Sequence, residues 1–376
     1  MVSNVRPLQK ILFGSPGTGK SYQIRAIATE QLGIELDKTT KTLANTVKTV
    51  FHPEYTYADF MGKLLPQSQG ANIIYKFYPG HFLQILGKAY QGLMDGKDDH
   101  YLLVIDELNR GNASAIFGTV FQLLDREGNH WSSYEIDLSD LELMGLFKEM
   151  GYTPTLIEQS ITFKTTNSYQ VFQDFFNDQE QALRKQALRT RKPDGARLAG
   201  LLKRGKISIP PNLSILATIN TSDESIYYLD SAFKRRWDWE YVEAPSWSTK
   251  PPDLIKSVEL VLENGDSLEW IHCIMGLNQF IRSNAQSIRR IEDKQIGWWF
   301  IKPENGKVAL QQVEDKLMFY LWDNVFAKDR RPLEAILTQE LPPEVSVKLI
   351  TFGDFVKHTE ILMHYFEAEG RDDIPF

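Results

Sequence analysis

Residues 11–21 read Ile11-Leu12-Phe13-Gly14-Ser15-Pro16-Gly17-Thr18-Gly19-Lys20-Ser21. An apolar run leads into a glycine-rich turn, and the stretch 22–28 that follows has the composition of a helix. Strand, turn and helix in this order, with the spacing G-x-x-x-x-G-K-[ST], form the pattern of a P-loop, whose backbone N–H groups wrap a diphosphate or triphosphate. We therefore predict that residues 14–21 bind a nucleotide, with Lys20 on the β- and γ-phosphates and Ser21 on Mg²⁺.

The composition limits the class of protein. The 376 residues are 42% hydrophobic, which allows a sizeable core and about two or three domains. A net charge of −7 excludes a generic polyanion binder. The single cysteine, Cys273, excludes an intramolecular disulfide and fits a reducing compartment. Because the chain has neither an apolar signal core nor an apolar run of ~20 residues, we expect a cytoplasmic protein with no membrane partner.

A second segment, residues 101–107, is a continuous apolar run that ends in Asp106 and Glu107. Such a run predicts a central parallel strand. In P-loop enzymes an Asp at this strand end assists Mg²⁺, and a neighbouring Glu can orient or deprotonate the attacking water. The alternative is a strand that merely runs into an acidic turn. The P-loop upstream favours the functional interpretation.

Two further segments offer polar groups to the same chemistry. Residues 213–219 form a predicted strand, followed by Asn220 and Asp223. If this strand lies between the other two, its polar end can touch the γ-phosphate; the alternative is an Asx-turn. A helix predicted from about residue 225 ends in Lys234-Arg235-Arg236-Trp237. These cations either interact with the helix dipole or supply an arginine finger to a neighbouring subunit.

Periodicity and turn signals place the other elements. The predicted strands and loops are a strand at 46–52 and a loop at 65–80 with a short hairpin near 73–77. The predicted helices lie at 81–93, 112–127, 267–284, 311–328, 332–339, 343–350 and 353–369. Prolines near residue 245 mark a linker, so we predict a nucleotide-binding domain at 1–245 and a helical lid domain at 246–376.

A long insertion, about 128–208, separates the two site strands and exceeds what a plain P-loop sheet needs. We predict helices in it at 138–150 and 169–188. Its segment 184–206 has one acid, Asp194, and nine cations: Arg184, Lys185, Arg189, Arg191, Lys192, Arg197, Lys203, Arg204 and Lys206. A solvated face is one explanation, and contact with DNA or an acidic partner is the other. No aromatic residue interrupts this segment, so phosphate contact would be the mode.

Taken in order, these motifs resemble an AAA+ NTPase, and within that class the McrB family, the motor subunits of modification-dependent restriction systems. Residues 51–60, FHPEYTYADF, are similar to the family's FHPSYSYEDF. Residues 105–112, IDELNRGN, are similar to IDEINRGN, and 220–223, NTSD, to NTAD. Residues 232–237, AFKRRW, are similar to ALRRRF. In the lid, 295–300 resembles IGHSYF, with Trp298 where the family has His.

The resemblance implies an α/β fold: an AAA+ P-loop NTPase with a parallel-sheet core, a long insertion before the sensor strand and a C-terminal helical lid. It implies roles by position. Asp106 assists Mg²⁺, Glu107 activates water, and Asn109 helps to position that water. Asn220 and Asp223 sense the γ-phosphate. Arg235 and Arg236 act in trans in a ring, expected to be a hexamer.

The resemblance also implies a cofactor and partners. The cofactor is Mg²⁺ with GTP, the family's preferred nucleotide; ATP stays open, because the chain lacks an N-K-x-D element and a P-loop does not read the base. The expected partners are other copies of the chain, a nuclease subunit of the McrC type, and DNA through 184–206. The P-loop begins at residue 14, so we expect target recognition in the insertion or in a partner. The alternatives are a nucleotide-dependent regulatory scaffold with little hydrolysis of its own, and a small-molecule kinase, against which the paired arginines and large lid argue.

Overall fold

The computed structural model describes residues 5–70, 72–166, 168–190, 192–221, 227–345 and 347–371. These residues divide into two compact units. The first contains the described parts of 1–12, 21–219 and 225–240, and the second those of 13–20, 220–224 and 241–376. The loop residues 14–20 thus belong to the second unit and Ser21 to the first. The predicted domain boundary at residues 245 and 246 stays a prediction.

Strands account for much of the first unit. They are β1 (Gln9–Gly14), β2 (Thr46–Val50), β3 (Gly62–Gln69), β4 (Asn72–Pro79), β5 (Tyr101–Asp106), β6 (Ile136–Asp137), β7 (Pro154–Ile157), β8 (Ser160–Lys164), β9 (Tyr169–Val171), β10 (Lys206–Ile207), β11 (Leu213–Asn220) and β12 (Asp238–Tyr241). Its helices are α1 (Lys20–Ala26), α2 (Tyr57–Met61), α3 (His81–Met94), α4 (Ala113–Phe117), α5 (Asp140–Glu149), α6 (Phe172–Thr190), α7 (Asp194–Leu202) and α8 (Ser231–Lys234).

The central sheet has the order β12-β1-β11-β5-β2. β5 pairs in parallel with β11 and with β2, and its residues from Tyr101 to Ile105 are buried. A strand covered on both faces must be apolar throughout, which is the reason for the unbroken run in the sequence. The sheet order places β11 between the P-loop strand β1 and the acidic strand β5. The predicted α/β class with a parallel-sheet core is confirmed.

Two predicted helices of this unit are shorter than expected. The stretch 112–127 forms α4 only as far as Phe117 and continues as a 3₁₀ segment, Gly118–Leu124. Gly118 has φ of +49°, a left-handed conformation that ends an α-helix. The helix predicted from about residue 225 is only α8, which Asp230 caps by accepting from the Phe233 N–H at 2.7 Å. Residues 227–230 precede it without helical structure.

The insertion is a folded part of the first unit. The helix expected at 138–150 is α5, and the one expected at 169–188 begins as strand β9 before α6. The sequence pattern missed the antiparallel β7-β8-β9 sheet and helix α7, which packs along α6. Upstream of the insertion, the hairpin expected near 73–77 is longer: β3 and β4 pair over their whole lengths.

The second unit combines a small sheet with helices. The strands are β13 (Glu259–Val261), β14 (Ser267–Glu269) and β15 (Lys307–Ala309). The helices are α9 (Trp270–Ser283), α10 (Ile291–Lys294), α11 (Leu310–Gln312), α12 (Arg331–Glu340), α13 (Phe352–Val356) and α14 (Thr359–Arg371), with π-helical turns at Val313–Met318 and Leu321–Val325. A Cβ on Gly276 of α9 would lie 1.8 Å from the Phe366 oxygen of α14, so this glycine sets the close approach of the two helices.

Several lid predictions need correction. The segment 267–284 starts as strand β14, and 353–369 is two helices that break between residues 356 and 359. No helix occurs in the described residues of 343–350, a range that begins with the second proline of the pair Pro342 and Pro343. The small β13-β14-β15 sheet was not expected. Across the described parts of the chain, no helix is both long enough and apolar enough to cross a bilayer.

Candidate nucleotide-binding site

The glycine-rich loop has the backbone that its sequence predicts. Gly17 and Gly19 have φ of +76° and +90°, conformations that residues with a Cβ rarely adopt. The Lys20 ammonium is buried and donates to the carbonyls of Gly14 and Ser15 at 2.9 and 2.8 Å. The lysine therefore lies against the loop that it follows, where the phosphates of a nucleotide would be expected.

A lid segment, defined as residues 292–300, forms hydrogen bonds with this loop. The Gly297 N–H donates to the Pro16 oxygen, and the Trp299 N–H donates to the Gly17 oxygen, both at 2.9 Å. At its start, the Glu292 carbonyl accepts from the Ser15 hydroxyl at 2.5 Å. Two of these bonds engage main-chain oxygens of the loop and the third engages its Ser15 hydroxyl, so the three fix the shape of the loop within the second unit without using its N–H groups.

In the first unit, the two predicted metal residues line one cavity of about 400 Å³, which Lys48 lines as well. The Ser21 hydroxyl and the Asp106 carboxylate are hard oxygen donors, the type that Mg²⁺ prefers. Among the described residues no group of three or more His, Cys, Asp or Glu side chains could hold a metal. Mg²⁺ in phosphate chemistry takes one or two protein oxygens and completes its shell with water and phosphate.

The two acidic residues at the end of β5 share one hydroxyl partner. Asp106 accepts a hydrogen bond from the Thr218 hydroxyl at 3.0 Å. Glu107 has a left-handed backbone, with φ of +56°, and its N–H donates to the same hydroxyl at 3.2 Å. Thr218 thus bridges the two residues from the neighbouring strand β11. A non-glycine residue with positive φ in this position costs free energy, and such strain concentrates at functional sites.

The sequence also predicted site roles for Asn109, Asn220 and Asp223. Asn109 is buried, and its carbonyl accepts from the Tyr227 N–H at 2.7 Å. Asn220 is the last residue of β11, and the next residue, Thr221, donates its N–H to the Gly14 oxygen at 3.3 Å. Asp223 lies outside the described residues. The roles of Asn109, Asn220 and Asp223 therefore stay predictions.

The two adjacent arginines after α8 differ sharply. Arg236 has a side chain only 8% exposed and pairs with Asp125 at 2.6 Å. The Arg236 guanidinium also lies 4.0 Å from the centre of the Phe121 ring. The Arg236 main-chain carbonyl accepts a hydrogen bond from the side-chain amide of Gln9. The Arg235 side chain is exposed. The arrangement gives Arg236 a structural task within its own subunit and leaves Arg235 facing outward.

The basic segment 184–206 is largely paired with acids. Ion pairs join Arg184 and Lys203 to Glu180, Lys192 to Asp98, Arg197 to Glu127, Arg204 to Glu135 and Lys206 to Asp137. The hydrogen bond from Lys203, together with the one from Arg184, holds the pKa of the Glu180 carboxyl below its usual value. Arg191 lies outside the described residues. The segment thus presents much less uncompensated positive charge than its composition suggests.

Two residues of the site were missed by sequence reasoning. Lys48 is a single lysine in the β-branched run of β2, and its ammonium lies 2.5 Å from the Asp106 carboxylate. Thr218 is, with Ser214, one of two polar residues within the apolar run of β11 that ends at Asn220. A polar side chain inside an apolar strand was the available signal for Thr218. The importance of Lys48 depends on strand register, which the sequence does not contain.

Comparison with known proteins gives two significant sequence relatives. The type II restriction enzyme BsuMI component YdiS of Bacillus subtilis (strain 168) is 25% identical over 343 residues, 85% of this chain and 80% of that protein. The type IV methyl-directed restriction enzyme EcoKMcrB subunit of Escherichia coli (strain K12) is 32% identical over 124 residues, 32% of this chain and 24% of that protein. No protein-family model matches the chain.

Among solved structures, one described as that of an ATPase from Cytophaga hutchinsonii is 10% identical, with a TM-score of 0.28, over 76% of this chain and 61% of the other. The glycine-rich loop, the parallel sheet and the acidic end of β5 define the class as an AAA+-type P-loop NTPase fold. Within that class the two sequence relatives support an McrB-like AAA+ protein, the kind of protein that the motifs predicted.

Proposed function

We propose that the chain is the nucleoside-triphosphatase motor of a restriction complex. The observation that carries the proposal is the cavity that Ser21 and Asp106 share, with Glu107 next in the chain. The two relatives are a restriction enzyme component and a restriction enzyme subunit by name, which supports the same biological setting. We place the protein in the cytoplasm, where such a complex would meet DNA.

The proposed chemistry assigns a task to each part. Backbone N–H groups within residues 14–20 and the Lys20 ammonium would hold the phosphates, and Ser21 with Asp106 would hold Mg²⁺, whose positive charge would stabilise them. Glu107 accepts a proton from the attacking water. The water oxygen bonds to the γ-phosphorus, and the bond to the bridging oxygen breaks. Nucleoside diphosphate and phosphate leave.

Arg235 completes the proposed site from a neighbouring subunit. Its exposed side chain can reach outward, whereas the guanidinium of Arg236 is already bound to Asp125. An arginine finger in trans requires an oligomer, and we propose a ring, most simply a hexamer. GTP is the proposed substrate and ATP its alternative. The proposed partner is a nuclease subunit of the McrC type.

Most of the described cations in the basic segment form ion pairs, so direct contact with DNA would use the remaining ones. Lys185 and Arg189 are outside those pairs. If the segment binds DNA, reversing both charges should lower affinity for duplex DNA and reduce its salt dependence, as measured by fluorescence anisotropy at several salt concentrations. An unchanged affinity and salt slope would remove the segment from the interface.

The test of the main proposal is Glu107→Gln. Wild type should release phosphate from GTP or ATP, and the variant should be slower by about 100-fold or more, because it lacks the proton acceptor. Binding of a fluorescent nucleotide should be unchanged. Near-normal hydrolysis by the variant would contradict the role of Glu107. Weak wild-type turnover that rises only with a nuclease partner would favour the regulatory scaffold instead of a self-sufficient motor.

A further inference from the structure

The Lys48 ammonium forms an ion pair with the Asp106 carboxylate, the group that a metal ion would use. Lys48 Nζ lies 2.5 Å from Asp106 Oδ2, and Thr218 Oγ1 donates to Oδ1 at 3.0 Å. Both carboxylate oxygens therefore already have a partner. Lys48 lies on the edge strand β2, two residues before Val50, which is in register with Asp106. Its side chain runs along the strand to reach the carboxylate.

The cavity around this pair is rich in positive charge. Arg25, Lys41 and Lys48 line it together with Ser21, and among the residues that the structure describes Asp106 is the one carboxylate in its lining. A divalent cation entering without phosphates would meet three positive side chains and a carboxylate that is already neutralised. Like charges repel, so the lining of the cavity disfavours a metal ion that arrives without phosphates.

We propose that Lys48 is a metal-gating residue, a side chain that blocks the metal's carboxylate until nucleotide arrives. This inference rests on the proposed function, because it needs the cavity to take Mg²⁺ with a nucleotide. The Lys48 side chain is 55% exposed, so it can leave the carboxylate at little cost. Phosphate oxygens then supply the negative charge that the cavity lacks, and Mg²⁺ enters with the nucleotide rather than before it.

The gate also has a use before nucleotide binds. An ammonium on Oδ2 and a hydroxyl on Oδ1 hold the Asp106 carboxylate in one orientation. The metal therefore meets a preformed ligand once Lys48 moves. Thr218 stays on Oδ1 in both states and still holds the Glu107 N–H, so the water-activating residue keeps its place during the exchange.

The test compares Lys48→Met with Lys41→Met, which removes the same charge from the same cavity. Lys48 is exposed on an edge strand, so the change should leave the fold intact, as circular dichroism can verify. Two quantities are measured on the full chain. One is binding of Mn²⁺ without nucleotide, by electron paramagnetic resonance. The other is the Mg²⁺ concentration at half-saturation when a fluorescent nucleotide binds, with its affinity in EDTA as reference.

Wild type and Lys41→Met should bind no Mn²⁺ without nucleotide, whereas Lys48→Met should bind it and should need roughly three- to tenfold less Mg²⁺ at half-saturation. Adding Asp106→Asn to Lys48→Met should abolish both gains. Equal behaviour of the two lysine variants would overturn the gate. So would a loss of nucleotide affinity in EDTA confined to Lys48→Met, because Lys48 would then be a phosphate ligand. If wild type binds no nucleotide at all, the proposed function fails, and the gate with it.

Discussion

Gly297 lies against Gly17 so closely that a Cβ on Gly297 would be 2.0 Å from the carbonyl carbon of Gly17. No side chain fits in that space, because real Cβ atoms do not come within 3 Å of backbone atoms. The contact sits beside the two hydrogen bonds that join the lid segment 292–300 to the loop. The shape of the phosphate-binding loop therefore depends on a residue far away in the sequence.

Gly297→Ala should push the lid segment off the loop and lower nucleotide affinity by about tenfold or more, because loop geometry decides how many N–H groups reach the phosphates. Fluorescent-nucleotide titration measures this. Gly353→Ala is the matched control in the same unit, since its Cβ would meet nothing nearer than the Thr351 hydroxyl at 3.7 Å. Equal affinity in the two variants would show that the lid segment does not shape the loop.

Arg236→Ala should destabilise the first unit by about 2–4 kcal/mol. The substitution removes a buried guanidinium that pairs with Asp125 and packs on the Phe121 ring. Arg235→Ala should change stability by less than about 0.5 kcal/mol, as expected for an exposed side chain. Urea unfolding followed by tryptophan fluorescence distinguishes them. Similar unfolding curves for the two variants would refute the structural role of Arg236.

His100 should make stability depend on pH. Its buried ring bonds the Ser214 hydroxyl at 2.8 Å, and burial, with Arg126 nearby, lowers its pKa to about 4. The unfolded chain, with a pKa of about 6.5, binds the proton more readily between pH 6.5 and 4. The free energy of unfolding therefore falls as pH decreases through this range, by up to about 3 kcal/mol. His100→Gln should flatten the slope there; the same slope in both proteins would count against this assignment.

Glu180→Gln should loosen the insertion. Glu180 on α6 is nearly buried and joins Lys203, which follows α7, to Arg184 on its own helix. Removing its charge should cost about 1–2 kcal/mol and speed hydrogen exchange in α6 and α7. The control is Asp174→Asn, an exposed acid in the first turn of α6, which should cost a few tenths of a kcal/mol. Equal exchange rates in the two variants would contradict the anchoring role.

Sequence patterns predicted those parts of the site whose structure depends on residues close together in the chain. The apolar run of β5 and the glycine spacing of the loop follow from requirements that act within a few residues, so both were found. The stripe from Ala113 to Leu124 was misread as one helix. A 3₁₀ segment buries a similar stripe, and only the conformation of Gly118 ends the α-helix.

Long-range relationships were out of reach. The sequence shows Arg235 and Arg236 as equivalent neighbours, yet it is Arg236 that binds Asp125, over a hundred residues earlier in the chain. The charge count of 184–206 could not reveal that acids such as Asp98 and Glu127 would neutralise it. Lys48 acquired its importance from the pairing of β2 with β5.

Subunit mixing tests the central claim, that hydrolysis uses Glu107 of one subunit and Arg235 of the next. Arg235→Ala and Glu107→Gln should each be inactive alone. When the two are mixed, some interfaces combine an intact Glu107 with an intact Arg235, so phosphate release should recover to a substantial fraction of the wild-type rate. No recovery in mixtures that sizing shows to be co-assembled would contradict a shared site.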